Sequence, residues 1–317
     1  MNLGAPLTTA SMRYLIRQAQ PDAAFHDIDM MRRDAEIWGW AQSHADSLVI
    51  CGNPRFFGPG GRDLFWGLGF WPDVMEMRQR GIPVADISPG VHLPAEGAEE
   101  RLLQLAREDP DAQYVLACER ALNLVLPRDR LFAAVGTYDG QDYPVMPDAA
   151  WWAARAMGVD PTNKTIDAIS VRIDNGLERE WVLEVVRQQR VMAERQRTVI
   201  IVQTEAELAA MREIGAEDVV PCTDAAEFLR LMAHVGTLVS LRVHSSIPAL
   251  AVGVRVLNLR LDSRSAALDE FGVQSRPLEI LREPTLPLDL AQYGPSDAEM
   301  SGHLETFLTL WKEHMQR

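Results

Sequence analysis

The sequence contains few cysteines, and none of them are paired at a metal-binding spacing. Its 317 residues include only Cys51, Cys118 and Cys222, which lie far apart and form no C-x-x-C motif. This pattern argues against a disulfide framework and against a cysteine zinc site. We interpret all three as reduced, partly buried thiols, and we expect the protein to need no metal and no other cofactor.

Long apolar segments are also missing. No apolar run approaches the roughly 18 residues of a membrane-spanning helix, and no basic stretch followed by an apolar segment begins the sequence. The sequence therefore predicts a cytoplasmic protein with no membrane span.

Positive charge is scarce relative to negative charge. Lys and Arg number 31 against 45 Asp and Glu, so the formal net charge is −14. An anionic surface repels the phosphates of nucleic acids and of acidic lipids, and we expect no nucleic-acid partner. A small anionic substrate remains compatible with this charge if arginines gather at its site. The sequence does not indicate an oligomeric state.

Short apolar runs alternate with longer amphipathic ones along the chain, which is the pattern of parallel β/α units. A polar segment containing Pro161 separates two sets of these units. We therefore predict an α/β fold of two Rossmann-like domains, residues 1–160 and residues 161–317 with a C-terminal helix, that face each other across a cleft as in GT-B enzymes. The predicted strands are Ser47–Cys51, Val84–Ile87, Tyr114–Ala117, Ile166–Val171, Thr198–Val202, Leu238–Leu241 and Arg255–Leu259.

One segment, Thr237–Gly253, combines a buried strand, a basic tripeptide and a helix. Alternation along an extended chain points Arg242 and His244 the same way, and Ser245 and Ser246 are suited to capping the following helix, where unpaired N–H groups favour an anion. Arg242 supplies a planar fork for a carboxylate or phosphate, and His244 can exchange a proton near neutral pH. The same residues also fit a strand-edge arginine paired with a carboxylate and a histidine bonded to the backbone.

This segment and the residues after it resemble the C-terminal signature of the polysaccharide pyruvyltransferase family. That signature has a strand, an R-x-H tripeptide, a helix ending in A-x-G-V, a second strand and an aromatic-Asp-Pro-Lys segment. Weaker resemblances follow the family's order upstream. The matching residues and segments are Arg242, His244, Ala251, Gly253, Val254, Asp262 and Arg264, preceded by 2–5 (NLGA), 46–52, 87–94, 146–149 (MPDA) and 169–172 (ISVR).

The resemblance implies a GT-B-type fold and transfer of the enolpyruvyl carbons of phosphoenolpyruvate to hydroxyls of a glycan or another hydroxylated acceptor. It assigns His244 as general acid or phosphate contact and Asp148 as acceptor-side base, although a strand-end Asp is structural about as often. The remaining residues would contact the anionic donor in the C-terminal domain or supply donors from the N-terminal one: Arg242, Arg172, Arg264, Ser245, Asn2 and Gly4.

Departures from the family pattern keep two other functions open. Ala5 replaces an aspartate, the family's R-D motif becomes Cys118–Ala121 (CERA), and Arg264 replaces a lysine. Arg55 and the phenylalanines after it alter the glycine-rich loop, either by changing the acceptor side or by packing as part of a surface loop. A GT-B glycosyltransferase would use the same basic edge to bind the diphosphate of a nucleotide-activated sugar. A family-derived protein without catalysis would act as a binding or assembly partner.

Overall fold

The computed structural model describes residues 4–28, 35–52, 54–57, 69–94, 96–138, 140, 142–173 and 179–316. Within them no helix has the length and apolar character needed to cross a membrane. The strands are β1 (Leu48–Cys51), β2 (Pro54–Phe57), β3 (Val84–Ile87), β4 (Gly90–His92), β5 (Leu124–Leu126), β6 (Ile166–Ser170), β7 (Thr198–Val202), β8 (Val219–Pro221), β9 (Val235–Ser240) and β10 (Arg255–Asn258).

The helices alternate with these strands along most of the chain. They are α1 (Gly4–Ala19), α2 (Ala35–His44), α3 (Trp71–Gln79), α4 (Ala98–Glu108), α5 (Pro110–Arg120), α6 (Arg130–Tyr138), α7 (Ala153–Met157), α8 (Arg179–Ala193), α9 (Glu205–Glu213), α10 (Ala225–Ala233), α11 (Val243–Ala251), α12 (Ala266–Asp269) and α13 (Asp297–His314).

The chain forms two compact units, and it passes between them more than once. Unit 1 contains Met1–Ser11, Ala150–Leu261 and Leu268–Pro295, and unit 2 contains Met12–Ala149, Asp262–Ala267 and Ser296–Arg317. The C-terminal helix α13 and the short segment that includes Arg264 therefore belong to unit 2.

Unit 1 contains one five-stranded parallel sheet with the order β10-β9-β6-β7-β8. Its central strands are rich in β-branched and other apolar residues, which suits strands covered by helices on both faces. Ile169, Ile200, Val239 and Leu257 from four of these strands pack into one core with Val185 of α8. The predicted α/β fold with parallel sheets is confirmed in this unit.

Unit 2 contains a three-stranded parallel sheet, β1-β3-β5, and a two-stranded parallel pair, β2-β4. Two apolar clusters lie within the unit. One includes Leu102 of α4 and Phe132 of α6, and the other includes Trp71 of α3 and Val115 of α5.

The predicted strand Tyr114–Ala117 is wrong, because these residues lie inside α5. Asp109 caps this helix through its side chain and Pro110 occupies the first turn, which is where proline is tolerated. The buried positions of α5 also recur at helical spacing. A four-residue apolar run cannot by itself separate a buried strand from one face of a helix.

A cluster of charged side chains is enclosed in unit 2. The guanidinium of Arg55 on β2 bonds to the carboxyls of Asp86 on β3 and Glu119 on α5, and all three side chains are fully buried. Arg55 also lies over the rings of Phe70 and Trp71, at 5.8 and 5.6 Å from their centroids. The interpretation of this segment as a surface loop is therefore wrong, since Arg55 lies on β2 and its side chain is in the interior of the unit.

Candidate functional site

The sheet of unit 1 has a topological switch point at its carboxyl edge. All neighbouring strands are parallel, so β6, β7, β9 and β10 end at the same edge. From β6 the chain adds β7 and β8 on one side and then returns to place β9 and β10 on the other. The connections therefore reverse direction between β6 and β9, and such a switch point is where open α/β sheets bind ligands.

The end of β9 and the start of α11 lie at this switch point. Arg242 is the N-cap residue of α11, and its extended backbone leads directly into the helix at Val243. The first turn of a helix leaves N–H groups without intrahelical partners and carries the positive end of the helix dipole. The junction therefore has the backbone arrangement of an anion site.

The expectation that Ser245 and Ser246 cap this helix is wrong, because both lie within its first turn. The Ser245 hydroxyl accepts hydrogen bonds at 2.8 Å from Ser170 Oγ and from Gln203 Nε2. Ser246 Oγ donates to Asn258 Oδ1 at 2.8 Å. These side chains are buried, and because satisfied polar networks are rigid, they fasten the start of α11 to β6, β7 and β10.

Arg242 is held from two sides. Its Nε donates to the carbonyl of Val171 at 2.8 Å, just beyond the end of β6. Its Nη2 bonds to Oε1 of Glu207 on α9. The side chain is 10% exposed, whereas that of Glu207 is 1% exposed, so the guanidinium lies at the border between the protein interior and the edge of the sheet.

Glu207 accepts backbone hydrogen bonds as well as the bond from Arg242. Oε2 accepts from the amides of Gln203 at 2.7 Å and Thr204 at 3.2 Å, and Oε1 accepts from Ile173 at 3.3 Å. Thr204 and Glu207 form the capping box of α9. The buried carboxylate of Glu207 thus bonds to residues that follow β6, β7 and β9.

Two further predicted site residues belong to the same edge of unit 1. Arg172 follows Val171 beyond β6 and is 5% exposed, and His244 is the second residue of α11 and is half-buried. The structure therefore brings Arg172, Arg242, His244 and Ser245 to the ends of the two strands that flank the switch point.

Asp148 lies at the carboxyl edge of the unit 2 sheet. It is fully buried, and its Oδ2 accepts a hydrogen bond from Nη1 of Arg128 at 3.1 Å. Arg128 follows β5, and Gly90 at the start of β4 has no room for a side chain because a Cβ there would lie 2.7 Å from Oδ2 of Asp129 and closer still to Arg128. Asp148 as an acceptor-side base remains a prediction.

Arg264 belongs to unit 2. Its Nε and Nη2 donate to Oδ1 and Oδ2 of Asp262 at 2.9 and 2.6 Å. Oδ2 of Asp262 also lies 3.2 Å from Nε2 of His92 on β4. Arg264 is thus half of a bidentate ion pair, and its role in donor binding remains a prediction.

The remaining predicted site residues lie at the N-terminus. Gly4 is the first residue of α1, and Asn2 lies outside the described residues. Among the residues with described positions, no group of three or more His, Cys, Asp or Glu side chains is arranged to hold a metal ion.

Sequence reasoning missed Glu207 and Arg128. The signal for Glu207 was visible, because Thr204-Glu205-Ala206-Glu207 directly after a strand has the capping-box spacing. Nothing in that pattern shows that Arg242, 35 residues later, is its partner. Arg128 was missed because the strand that precedes it, β5, was not predicted. This strand has only three residues.

No protein-family model and no curated protein matches the sequence. Solved structures do match the fold. UDP-GlcNAc 2-epimerase from Neisseria meningitidis bound to UDP-GlcNAc has a TM-score of 0.55 and 11% identity, over 96% of this chain and 90% of that chain. The UDP-GlcNAc 2-epimerase of Methanocaldococcus jannaschii has a TM-score of 0.53 and 10% identity, over 99% and 89%.

The S. aureus MnaA-UDP co-structure has a TM-score of 0.51 and 11% identity, over 96% of this chain and 93% of that chain. Similarity at such low identity concerns the fold, because one fold hosts many functions. Two of these three structures are UDP-GlcNAc 2-epimerases and the third is a complex with UDP. They do not support membership of the pyruvyltransferase family, which remains a prediction. The predicted fold class is confirmed: the chain has an α/β fold of the GT-B type.

Proposed function

We propose that this protein is a GT-B-type enzyme that acts on a nucleotide-activated sugar and binds its diphosphate at the start of α11. The observation that carries the proposal is the placement of Arg242 and the helix N-terminus together at the β6/β9 switch point. Proteins with this fold include one bound to UDP-GlcNAc and one bound to UDP. Those ligands have the diphosphate that such an edge would recognise.

The chemistry of an activated sugar assigns roles to the residues of the edge. Negative charge develops on the diphosphate as its bond to the sugar breaks, and preorganised cations and backbone N–H groups stabilise that charge. Arg242 and Arg172 would supply the cations. His244, on the first turn of α11, would exchange the proton that transfer or rearrangement of the sugar requires.

Calorimetric and thermal-shift titrations with UDP, UDP-GlcNAc and phosphoenolpyruvate test the proposal. A ligand at 100 times its dissociation constant stabilises the folded protein by about 2.7 kcal/mol. We expect UDP and UDP-GlcNAc to raise the melting temperature and Arg242→Ala to weaken their binding and reduce that rise.

Arg197→Ala is the matched control for the arginine variant. Arg197 belongs to the same unit but precedes β7, at the opposite edge of the sheet, and its side chain is 68% exposed. Its loss removes the same charge and should leave UDP binding unchanged. Equal loss of binding in both variants, or no binding of either nucleotide to the unmodified protein, would contradict the proposal.

Pyruvyl transfer from phosphoenolpyruvate to a glycan hydroxyl is the second candidate. It is favoured by the R-x-H tripeptide and by the order of the weaker motifs along the chain. In this reaction Arg242 and the start of α11 would bind the phosphate and carboxylate of the donor. Stabilisation by phosphoenolpyruvate but by neither nucleotide would select this candidate. Binding of UDP-GlcNAc without turnover would instead support a non-catalytic binding protein.

A further inference from the structure

Glu207 differs from an ordinary helix-capping glutamate in what it contacts. A capping-box glutamate reaches back to the amide of its N-cap residue, as Glu299 does toward Ser296 at the start of α13, at 2.7 Å. Glu207 makes that bond to Thr204 and also accepts from Gln203, Ile173 and Arg242. Capping explains one of these contacts and leaves the other three to be explained.

The three additional contacts fix the carboxylate in one place. Two backbone amides from the ends of different strands hold its oxygens at 2.7 and 3.3 Å, and the side chain is 1% exposed. Because backbone amides hold its oxygens, the carboxylate cannot move together with the arginine side chain. The arginine must instead adopt the position that the carboxylate and the Val171 carbonyl determine together.

We propose that Glu207 is the positioning residue for Arg242, which it sets at the N-terminus of α11 for an anionic group of the substrate. The inference rests on the proposed function and extends it to a residue outside the predicted site. An arginine that is ordered before binding loses less conformational freedom when the ligand arrives. The bond between Glu207 and Arg242 therefore contributes to affinity without either oxygen of Glu207 touching the ligand.

The opposite role for Glu207 makes a different prediction. A carboxylate beside an anion-binding arginine can also act as an internal competitor that the ligand has to displace. Its neutralisation would then tighten ligand binding. Positioning predicts weaker binding from the same substitution, so the sign of the change separates the two roles.

The first experiment measures UDP affinity by calorimetry for the unmodified protein, Glu207→Gln, Arg242→Ala and the double variant. Freeing one long side chain costs up to about tenfold in affinity, and we expect about that loss for Glu207→Gln. Within the Arg242→Ala background the same substitution should change the remaining affinity by less than about twofold, because Glu207 acts through Arg242. Tighter binding by Glu207→Gln, or an equal loss in both backgrounds, overturns the proposal.

Two controls isolate the capping function. Thr204→Ala removes the hydroxyl that accepts from the Glu207 amide at 3.2 Å and keeps the carboxylate in place. Glu299→Gln alters the capping box of α13, which has no arginine in its described contacts. Both variants should lower the melting temperature slightly and leave UDP affinity unchanged. Loss of affinity in either one would assign the effect to helix capping.

The second experiment needs no ligand, so it remains decisive if UDP does not bind. Nitrogen-15 NMR of the arginine side chains reports how fast each guanidinium rotates about its Nε–Cζ bond. We expect slow rotation for Arg242 in the unmodified protein and in Thr204→Ala, and fast rotation in Glu207→Gln. Unchanged slow rotation in Glu207→Gln would overturn the positioning role. Absence of UDP binding together with the expected rotation would reject only the nucleotide-sugar function.

Discussion

The two units contain arginine–carboxylate clusters that differ in their surroundings. In unit 2, Arg55 lies between Asp86 and Glu119, and all three side chains are 0% exposed. In unit 1, the carboxylate of Glu207 is satisfied by three backbone amides, and its partner Arg242 lies at the carboxyl edge of the sheet beside a helix N-terminus. The first cluster is therefore enclosed in the interior, whereas under the proposed function the second presents a cation to the ligand.

Sheet topology supports the same distinction. In the unit 1 sheet the chain connections reverse direction between β6 and β9, which creates a switch point. Among the described strands of unit 2, β1, β3 and β5 follow one another across the sheet without a reversal. Asp148, at the edge of this second sheet, is fully buried against Arg128. We therefore consider the unit 1 edge the better candidate for donor binding.

Removing Arg55 should have the largest effect on stability. Arg55→Ala leaves the carboxyls of Asp86 and Glu119 buried without their cation, and breaking a buried ion pair in this way costs about 3–5 kcal/mol. Arg242→Ala should cost only about 1 kcal/mol, because Glu207 keeps its three backbone donors. Urea unfolding of both variants measures the two free energies, and similar losses would remove the distinction between the clusters.

The charged cluster of unit 2 should also make stability depend on pH. Burial, together with the negative charge of Asp86, raises the pKa of Glu119 well above its ordinary value. The folded state then retains a proton that the unfolded state releases above about pH 4.3. The free energy of unfolding must fall as the pH rises from there toward the folded pKa, because the folded state binds more protons.

Glu119→Gln removes this titration and keeps the size of the side chain. Its stability relative to the unmodified protein should increase steadily as urea unfolding is repeated at rising pH. A constant difference between Glu119→Gln and the unmodified protein across the series would show that Glu119 is ionised in the folded state.

The serine network of unit 1 should make a smaller contribution. Ser245→Ala deletes the oxygen that accepts hydrogen bonds from Ser170 and Gln203, and unsatisfied buried donors cost about 1–3 kcal/mol. Ser301→Ala on α13 is the control, because its exposed hydroxyl bonds only locally to the Asp297 carbonyl and its loss should change stability by less than about 0.5 kcal/mol. Equal stabilities of the two variants in urea would mean that this network does not anchor α11.

Much of this architecture could be predicted from hydrophobic period and length. Six of the predicted strands coincide with β1, β3, β6, β7, β9 and β10. A helix follows β9 as predicted, but it begins at Val243, so His244 lies on its first turn and not on an extended segment with Arg242. The strands that were missed, such as β5 and β8, have only three residues each. Short strands have too few residues to show a period, and their identity depends on partners distant in sequence.

The partners of the site residues could not be predicted for a related reason. Arg242 with Glu207, and Asp262 with His92, become pairs only after the sheets and loops are assembled. The same limit applies to Arg264 itself. Its family-like position suggested a role in donor binding with Arg242, and nothing in the sequence shows that the chain returns to unit 2 for residues Asp262–Ala267.

The most direct test of the central claim is an amide NMR titration with UDP. Binding of the diphosphate at the start of α11 predicts that the backbone amide signals of Val243 and His244 shift and saturate at the concentration that calorimetry gives for UDP binding. The signals of Gly90 and Asp129 in unit 2 serve as the internal comparison and should shift less. Saturation by UDP with Val243 and His244 unmoved would contradict an anion site at this helix.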